Sequence, residues 1–121
     1  MKLSKTEEDL MSHLWKLEKA FMKDLLEAYL DPKPATTTIA TLLKRMTDKG
    51  FVGYELFGKS RQYKPLVKKS DYFSKHVNGL IKNFFNDSSA QFASFFTKET
   101  DLSKKELEEL RKIIDRQIEN K

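Results

Sequence analysis

The sequence contains no cysteine. Disulfides, thiolate-bound metals and cysteine nucleophiles are therefore excluded. No apolar run is long enough to span a bilayer. The start, Met1-Lys2-Leu3-Ser4-Lys5, leads directly into charged residues and not into a secretory leader. The expectation is a cytoplasmic chain with no membrane insertion. There are only two histidines, His13 and His76, far apart and without an ordered partner set. Neither reads as a metal ligand or a general base. No Ser-His-Asp arrangement, glycine-rich phosphate loop or paired-carboxylate spacing stands out. The expectation is no catalysis, no metal and no cofactor.

What is present is charge, unevenly placed. The 121 residues suit one domain, or one domain with an appendage, and 34% of them are charged against 39% hydrophobic. Residues 1–32 carry 5 Lys/Arg against 7 Asp/Glu, residues 33–69 carry 9 against 2, and residues 70–121 carry 9 against 9. The whole positive surplus, a net of +7, thus lies in the middle segment. A concentrated surplus of this kind is the electrostatic footprint expected for a phosphate backbone, although it also suits a merely soluble basic surface.

The order of elements gives that surplus a context. Ser4-Lys5-Thr6-Glu7 matches a capping box, and Leu10, Met11, Leu14 and Leu17 follow at helical spacing, with Trp15 on the flank. A second helix runs through Phe21, Met22, Leu25, Leu26 and Tyr29 until Asp31-Pro32-Lys33-Pro34 stops it. A third spans about 36–49, capped by Thr36 or its neighbour and ended by Lys49-Gly50. Two short, partly alternating segments, Phe51 to Phe57 and Arg61 to Leu66, flank Gly58-Lys59-Ser60 and read as a hairpin whose basic tip covers about 57–63. Pro65 ends the second strand or places it on an edge.

With each residue turning about 100°, an inward Ile39, Leu42, Leu43 and Met46 puts Thr37, Thr41, Lys44 and Asp48 on the opposite side of the third helix. Ala40 lies at the edge of that face, with Thr38 and Arg45 on its other flank. Short Thr side chains and an Ala methyl permit close approach to base edges, and Lys44 and Arg45 would reach phosphates or guanine. Equally, Thr36-Thr37-Thr38 reads as a capping cluster and the cations as solvating charges. The basic hairpin decides for DNA: Lys59 and Arg61 project from one tip toward the backbone or a minor groove. Tyr63 packs under the hairpin. Lys64, Lys68 and Lys69 serve phosphate contact or solubility.

The second half is apolar at helical spacing. Phe73, Val77, Leu80, Ile81, Phe84 and Phe85 precede a break at Asn86-Asp87-Ser88-Ser89, and Phe92, Phe95 and Phe96 mark a further short helix. The capping box Ser103-Lys104-Lys105-Glu106 opens a last helix carrying Leu107, Leu110, Ile113, Ile114 and Ile118. A segment this small rarely closes a core alone. Pairing with the same helices of a second chain about a two-fold axis is expected, and folding back onto residues 1–66 is the alternative. The fold class expected is mainly α with a small β-hairpin: a winged helix-turn-helix over 1–69, then dimerisation helices over 70–121.

Four stretches, taken in order, resemble the penicillinase-repressor and methicillin-resistance-repressor family, which also includes copper-responsive repressors. They are Leu3-Ser4-Lys5-Thr6-Glu7 through Leu14-Trp15; Thr37 through Met46 with Lys49-Gly50-Phe51-Val52; Gly58-Lys59-Ser60-Arg61-Gln62-Tyr63-Lys64-Pro65-Leu66-Val67; and Asp101-Leu102-Ser103 with Glu106-Leu107-Glu108-Glu109-Leu110. The resemblance implies a homodimeric repressor on an inverted-repeat operator. Thr37, Thr38 and Thr41 would lie in the reading helix, with Lys59 and Arg61 in the wing. It also implies, for the antibiotic-responsive branch, relief by a membrane-bound sensor protease near the junction of the last two helices. The family pattern there is Asn-Phe, whereas the matching positions here are Phe95-Phe96. The copper branch carries C-terminal cysteine pairs, which this chain lacks.

The function expected is therefore repression of transcription by a homodimer on a palindromic double-stranded DNA operator. One rival is a winged-helix protein–protein interaction module that does not bind DNA. Another is a small enzyme or ligand-binding regulator whose pocket is lined by Phe84, Phe85, Phe92, Phe95 and Phe96.

Overall fold

A computed structural model describes residues 2–121; Met1, the first residue of the expected DNA-binding segment and of the charged start, lies outside them. The order is α1 (Lys5–Leu17), α2 (Met22–Ala28), α3 (Thr36–Asp48), β1 (Val52–Phe57), β2 (Ser60–Pro65), α4 (Lys69–Phe84), α5 (Ser89–Glu99) and α6 (Lys104–Glu119). The chain divides into two compact units, Met1–His76 and Val77–Lys121. The expected division at 69/70 falls at the start of α4.

Local chemistry explains most boundaries. At α1 the Ser4 hydroxyl accepts from the Glu7 amide at 3.3 Å, and Glu7 Oε1 accepts from the Ser4 amide at 2.8 Å. That reciprocal pair satisfies two donors the helix itself leaves unpaired. The same box recurs at Ser103 and Glu106 of α6. At α2, Asp24 Oδ2 accepts from the Phe21 amide at 2.9 Å. The expected threonine cap of α3 is absent: Ala35 holds the N-cap position with no side-chain hydrogen bond, and Thr36 is already helical. Pro34 fixes only its own φ and restricts Lys33, so it leaves the helix free to begin as early as Thr36. Beyond the C-cap Lys49, Gly50 takes φ +83°, a conformation that costs a residue bearing Cβ.

The strands pair antiparallel from Val52↔Pro65 to Phe57↔Ser60, so the turn is the two residues Gly58-Lys59 and not the three expected. Gly58, at φ +64°, supplies the left-handed first position such a tight turn requires. Ala20 adds a bridge to β2, exchanging two hydrogen bonds with Tyr63 at 2.9 and 2.7 Å. The link between α1 and α2 is thereby locked to the hairpin.

The core of the first unit joins Leu10, Met11 and Leu14 of α1, Leu25 of α2, Ile39, Leu43 and Met46 of α3, and Val52 of β1, all buried. Each such side chain contributes roughly 1.5–3 kcal/mol relative to exposure. Trp15 closes one side: its Nε1 donates to the Val67 carbonyl at 2.8 Å, and its ring lies against Tyr72 and Phe73. His13 and His76 pack on the rings of Tyr29 and Tyr72.

The second unit is built differently. Phe85 packs edge-on to Phe92 and tilted against Phe95, while Phe92 stacks with Phe96. No residue of α5 or α6 is buried. Phe84, Phe95, Ile113, Ile114 and Ile118 all remain more than half exposed. No helix among the described residues is long and apolar enough to cross a membrane.

Candidate nucleic-acid interface

The outward face of α3 follows from its inward one. Ile39, Leu42, Leu43 and Met46 are buried, which leaves Thr37, Thr38, Ala40, Thr41, Lys44 and Arg45 exposed. The small residues occupy the first two turns and the cations the third. Thr41 Oγ1 donates to the Thr37 carbonyl at 2.9 Å. Its proton is therefore committed within the helix, and its oxygen remains free to accept. Lys44 Nζ lies 3.1 Å from Asp48 Oδ2, with both side chains largely exposed. A pair of that kind is worth only a few tenths of a kcal/mol, roughly 0.3–0.5, and does not prevent Lys44 from turning to a phosphate.

Arg45 is less free than its helical position suggests. Its Nη1 is 3.9 Å from Glu7 Oε2, the same oxygen that accepts from Lys49 Nζ at 2.7 Å. Glu7 is 2% exposed. Its carboxyl is held at about 2, chiefly by the Lys49 hydrogen bond and then by the Ser4 amide. One buried carboxylate thus caps α1 and grips the C-terminal end of α3. The capping box exposes Glu7 in the sequence, but nothing local marks a partner 42 residues away.

On the hairpin, Lys59 occupies the turn and Arg61 is the second residue of the return strand, opposite Leu56. Arg61 does not project freely: its Cζ sits 4.4 Å from the centre of the Tyr54 ring. A guanidinium held over an aromatic face gains roughly 0.5–1 kcal/mol at an exposed site and is pre-positioned. Tyr54 pairs across the strands with the buried Tyr63, their rings 5.9 Å apart. Tyr63 thus packs under the hairpin as expected. Tyr54 escapes sequence reasoning because an aromatic in a strand signals packing, and its service to Arg61 depends on strand register. Lys64 faces Glu55 at 3.6 Å. A cleft of about 420 Å³ between α3 and the hairpin is lined by Ala40, Lys44, Thr47, Tyr54 and Arg61, among others. The structure therefore brings Ala40, Lys44 and Arg61 to one groove and leaves Lys59 at its outer tip.

The other expected sites lie elsewhere. Phe73 belongs to the first unit, against Trp15 and Tyr72. Val77, Leu80, Ile81, Phe84, Phe85, Phe92, Phe95, Phe96, Leu107, Leu110, Ile113, Ile114 and Ile118 lie in the second. Phe95 and Phe96, the expected cleavage region, sit within the helical backbone of α5.

Comparison with known proteins matches residues 3–116 to a family described as penicillinase repressor. The methicillin resistance regulatory protein MecI of Staphylococcus aureus strain N315 is 30% identical over 115 residues, covering 94% of each chain. The protein of the same name from Mammaliicoccus sciuri is 29% identical over the same span. The penicillinase repressor of Bacillus licheniformis is 24% identical over 114 residues, 93% of this chain and 89% of its own.

Proposed function

The chain belongs to the penicillinase repressor family, and on that premise we propose that it represses transcription as a homodimer bound to a palindromic DNA operator. Residues 1–69 bind the DNA and residues 70–121 hold two subunits together. Thr37, Thr38, Ala40 and Thr41 enter the major groove, where short side chains meet thymine methyls and base-edge donors. Lys44, Lys59 and Arg61 neutralise phosphates, and Arg45 joins them to the extent that Glu7 releases it. The observation carrying this reading is the groove in which Ala40 and Lys44 of α3 face an Arg61 already seated on Tyr54.

The exposed phenylalanines and isoleucines of the second unit support the pairing of subunits, since a lone chain would leave them in water. Two reading helices related by a two-fold axis would meet half-sites about one helical turn, or a multiple, apart. Relief of repression by a membrane-bound sensor protease would require α5 to unwind around Phe95-Phe96, because a protease binds its substrate extended.

Selection of bound fragments from genomic DNA, followed by gel shifts on the recovered duplexes, tests the proposal. Recovery of fragments sharing an inverted repeat is the expected result. Failure to retain any duplex at low ionic strength would overturn the proposal and favour the protein–protein module.

A further inference from the structure

Arg61 and Tyr63 line two clefts. One is the groove against α3 described above. The second, about 530 Å³, lies between the hairpin and the start of α2, where Phe21, Lys23 and Asp24 face Lys59, Ser60 and Arg61. Resting on the DNA-binding reading, we propose that the two clefts form one path for a DNA strand and that Lys23 is a further phosphate contact on it.

Several features support this assignment. Lys23 and Lys59 are both exposed, and among the described residues neither has a carboxylate within ion-pair distance. By contrast, three cations nearer α3 and the hairpin are partly neutralised: Lys44 by Asp48, Lys49 by Glu7 and Lys64 by Glu55. The acid in this cleft, Asp24, turns Oδ2 to the Phe21 amide at 2.9 Å, so part of its charge is already satisfied. The surrounding rings suit a deoxyribose face. Phe21 meets Phe57 edge-on at 6.0 Å, and Tyr63 lies beneath. The position of Lys23 is also fixed, because the two Ala20–Tyr63 hydrogen bonds anchor the chain just before α2 to the strand bearing Arg61. Cations on two separately anchored elements thus face one cleft, which shares Arg61 and Tyr63 with the groove against α3. The acidic balance of residues 1–32 conceals Lys23 in the sequence.

The test is fluorescence anisotropy of the full chain on a labelled random-sequence duplex across a salt series, with circular dichroism to verify folding. Lys23→Gln removes the charge with little change in length. It should lower the salt slope by about 0.9 for each Lys23 engaged. The loss of affinity between 50 and 200 mM salt then becomes smaller by about three- to fourfold for each phosphate no longer neutralised. Lys23→Arg should keep the wild-type slope, and Lys16→Gln, outside the cleft, should leave it unchanged. If Lys23→Gln matches wild type in affinity and slope while Arg61→Ala weakens both, the Lys23 assignment is overturned and the DNA reading stands. If the wild-type chain binds no duplex, the DNA reading itself is overturned, and this inference with it.

Discussion

Beside the shared apolar core, a single buried carboxylate oxygen ties α1 to the C-terminal end of α3. Glu7 Oε2 holds Lys49 at 2.7 Å and has Arg45 within 3.9 Å, so one substitution separates its roles. In Glu7→Gln the amide oxygen can still cap Ser4, but Lys49 loses its counter-charge. The loss should be roughly 1.5–3 kcal/mol, the range for hydrogen bonds to charged groups. The folded carboxyl is depressed from 4.5 to about 2. Its stabilisation is therefore fully present above pH 4.5 and lost as pH falls toward 2. Denaturant unfolding across pH should show Glu7→Gln flattening that acid limb; a limb identical to wild type would mean that the ion pair contributes nothing to stability. Thr41 makes a separate prediction. Because its oxygen only accepts, Thr41→Val should change base preference in a competition among duplexes while leaving the salt slope unaltered. A parallel shift in slope would mean that Thr41 faces the backbone.

At the scale of elements, periodicity exposes α1, α3 and α6, whose apolar residues follow the helical repeat. Glycine chemistry exposes the end of α3 and the hairpin turn. The start of α3 departs from expectation: Thr36-Thr37-Thr38 offers three good caps, yet the helix already includes Thr36 and leaves Ala35 at the N-cap. The structure therefore contains an uncapped helix that can be improved. Ala35→Ser supplies the missing acceptor and should raise stability by about 1 kcal/mol, read as a higher midpoint in denaturant. An unchanged midpoint would show that the α3 amides are already satisfied by solvent at no cost. The hairpin is visible as a pair of strands, but its bridge to Ala20 is not. A one-residue bridge has no periodicity to detect, and it is this bridge that sets α2 against the strand bearing Arg61.

For the whole molecule, the positive surplus of residues 33–69 and the apolar helical spacing of the tail are legible in the sequence, but the end of the first unit at His76, inside α4, is not. The small residues and cations of α3 read as a face because their apolar counterparts are buried. The partnership of Tyr54 with Arg61, of Glu7 with Lys49 and of Lys23 with the hairpin does not, since each joins residues brought together by tertiary packing. The exposed stripe of α6 leads to a prediction at this scale. Ile114, 57% exposed, should lie in the subunit interface. Ile114→Glu should halve the mass measured by light scattering and weaken operator binding by about a hundredfold or more through loss of bivalency, while binding to single half-sites persists. A wild-type chain that scatters as a single subunit would rule out the dimer.

The central claim is that α3 and the basic hairpin grip duplex DNA, and salt-dependent anisotropy on wild type and Arg61→Ala tests it most directly. Wild type should bind random duplex with an affinity that falls steeply as salt rises, and Arg61→Ala should bind more weakly, with a slope shallower by about 0.9 for each phosphate it leaves unneutralised. Salt-independent binding, or an Arg61→Ala titration that overlays wild type, would contradict the claim.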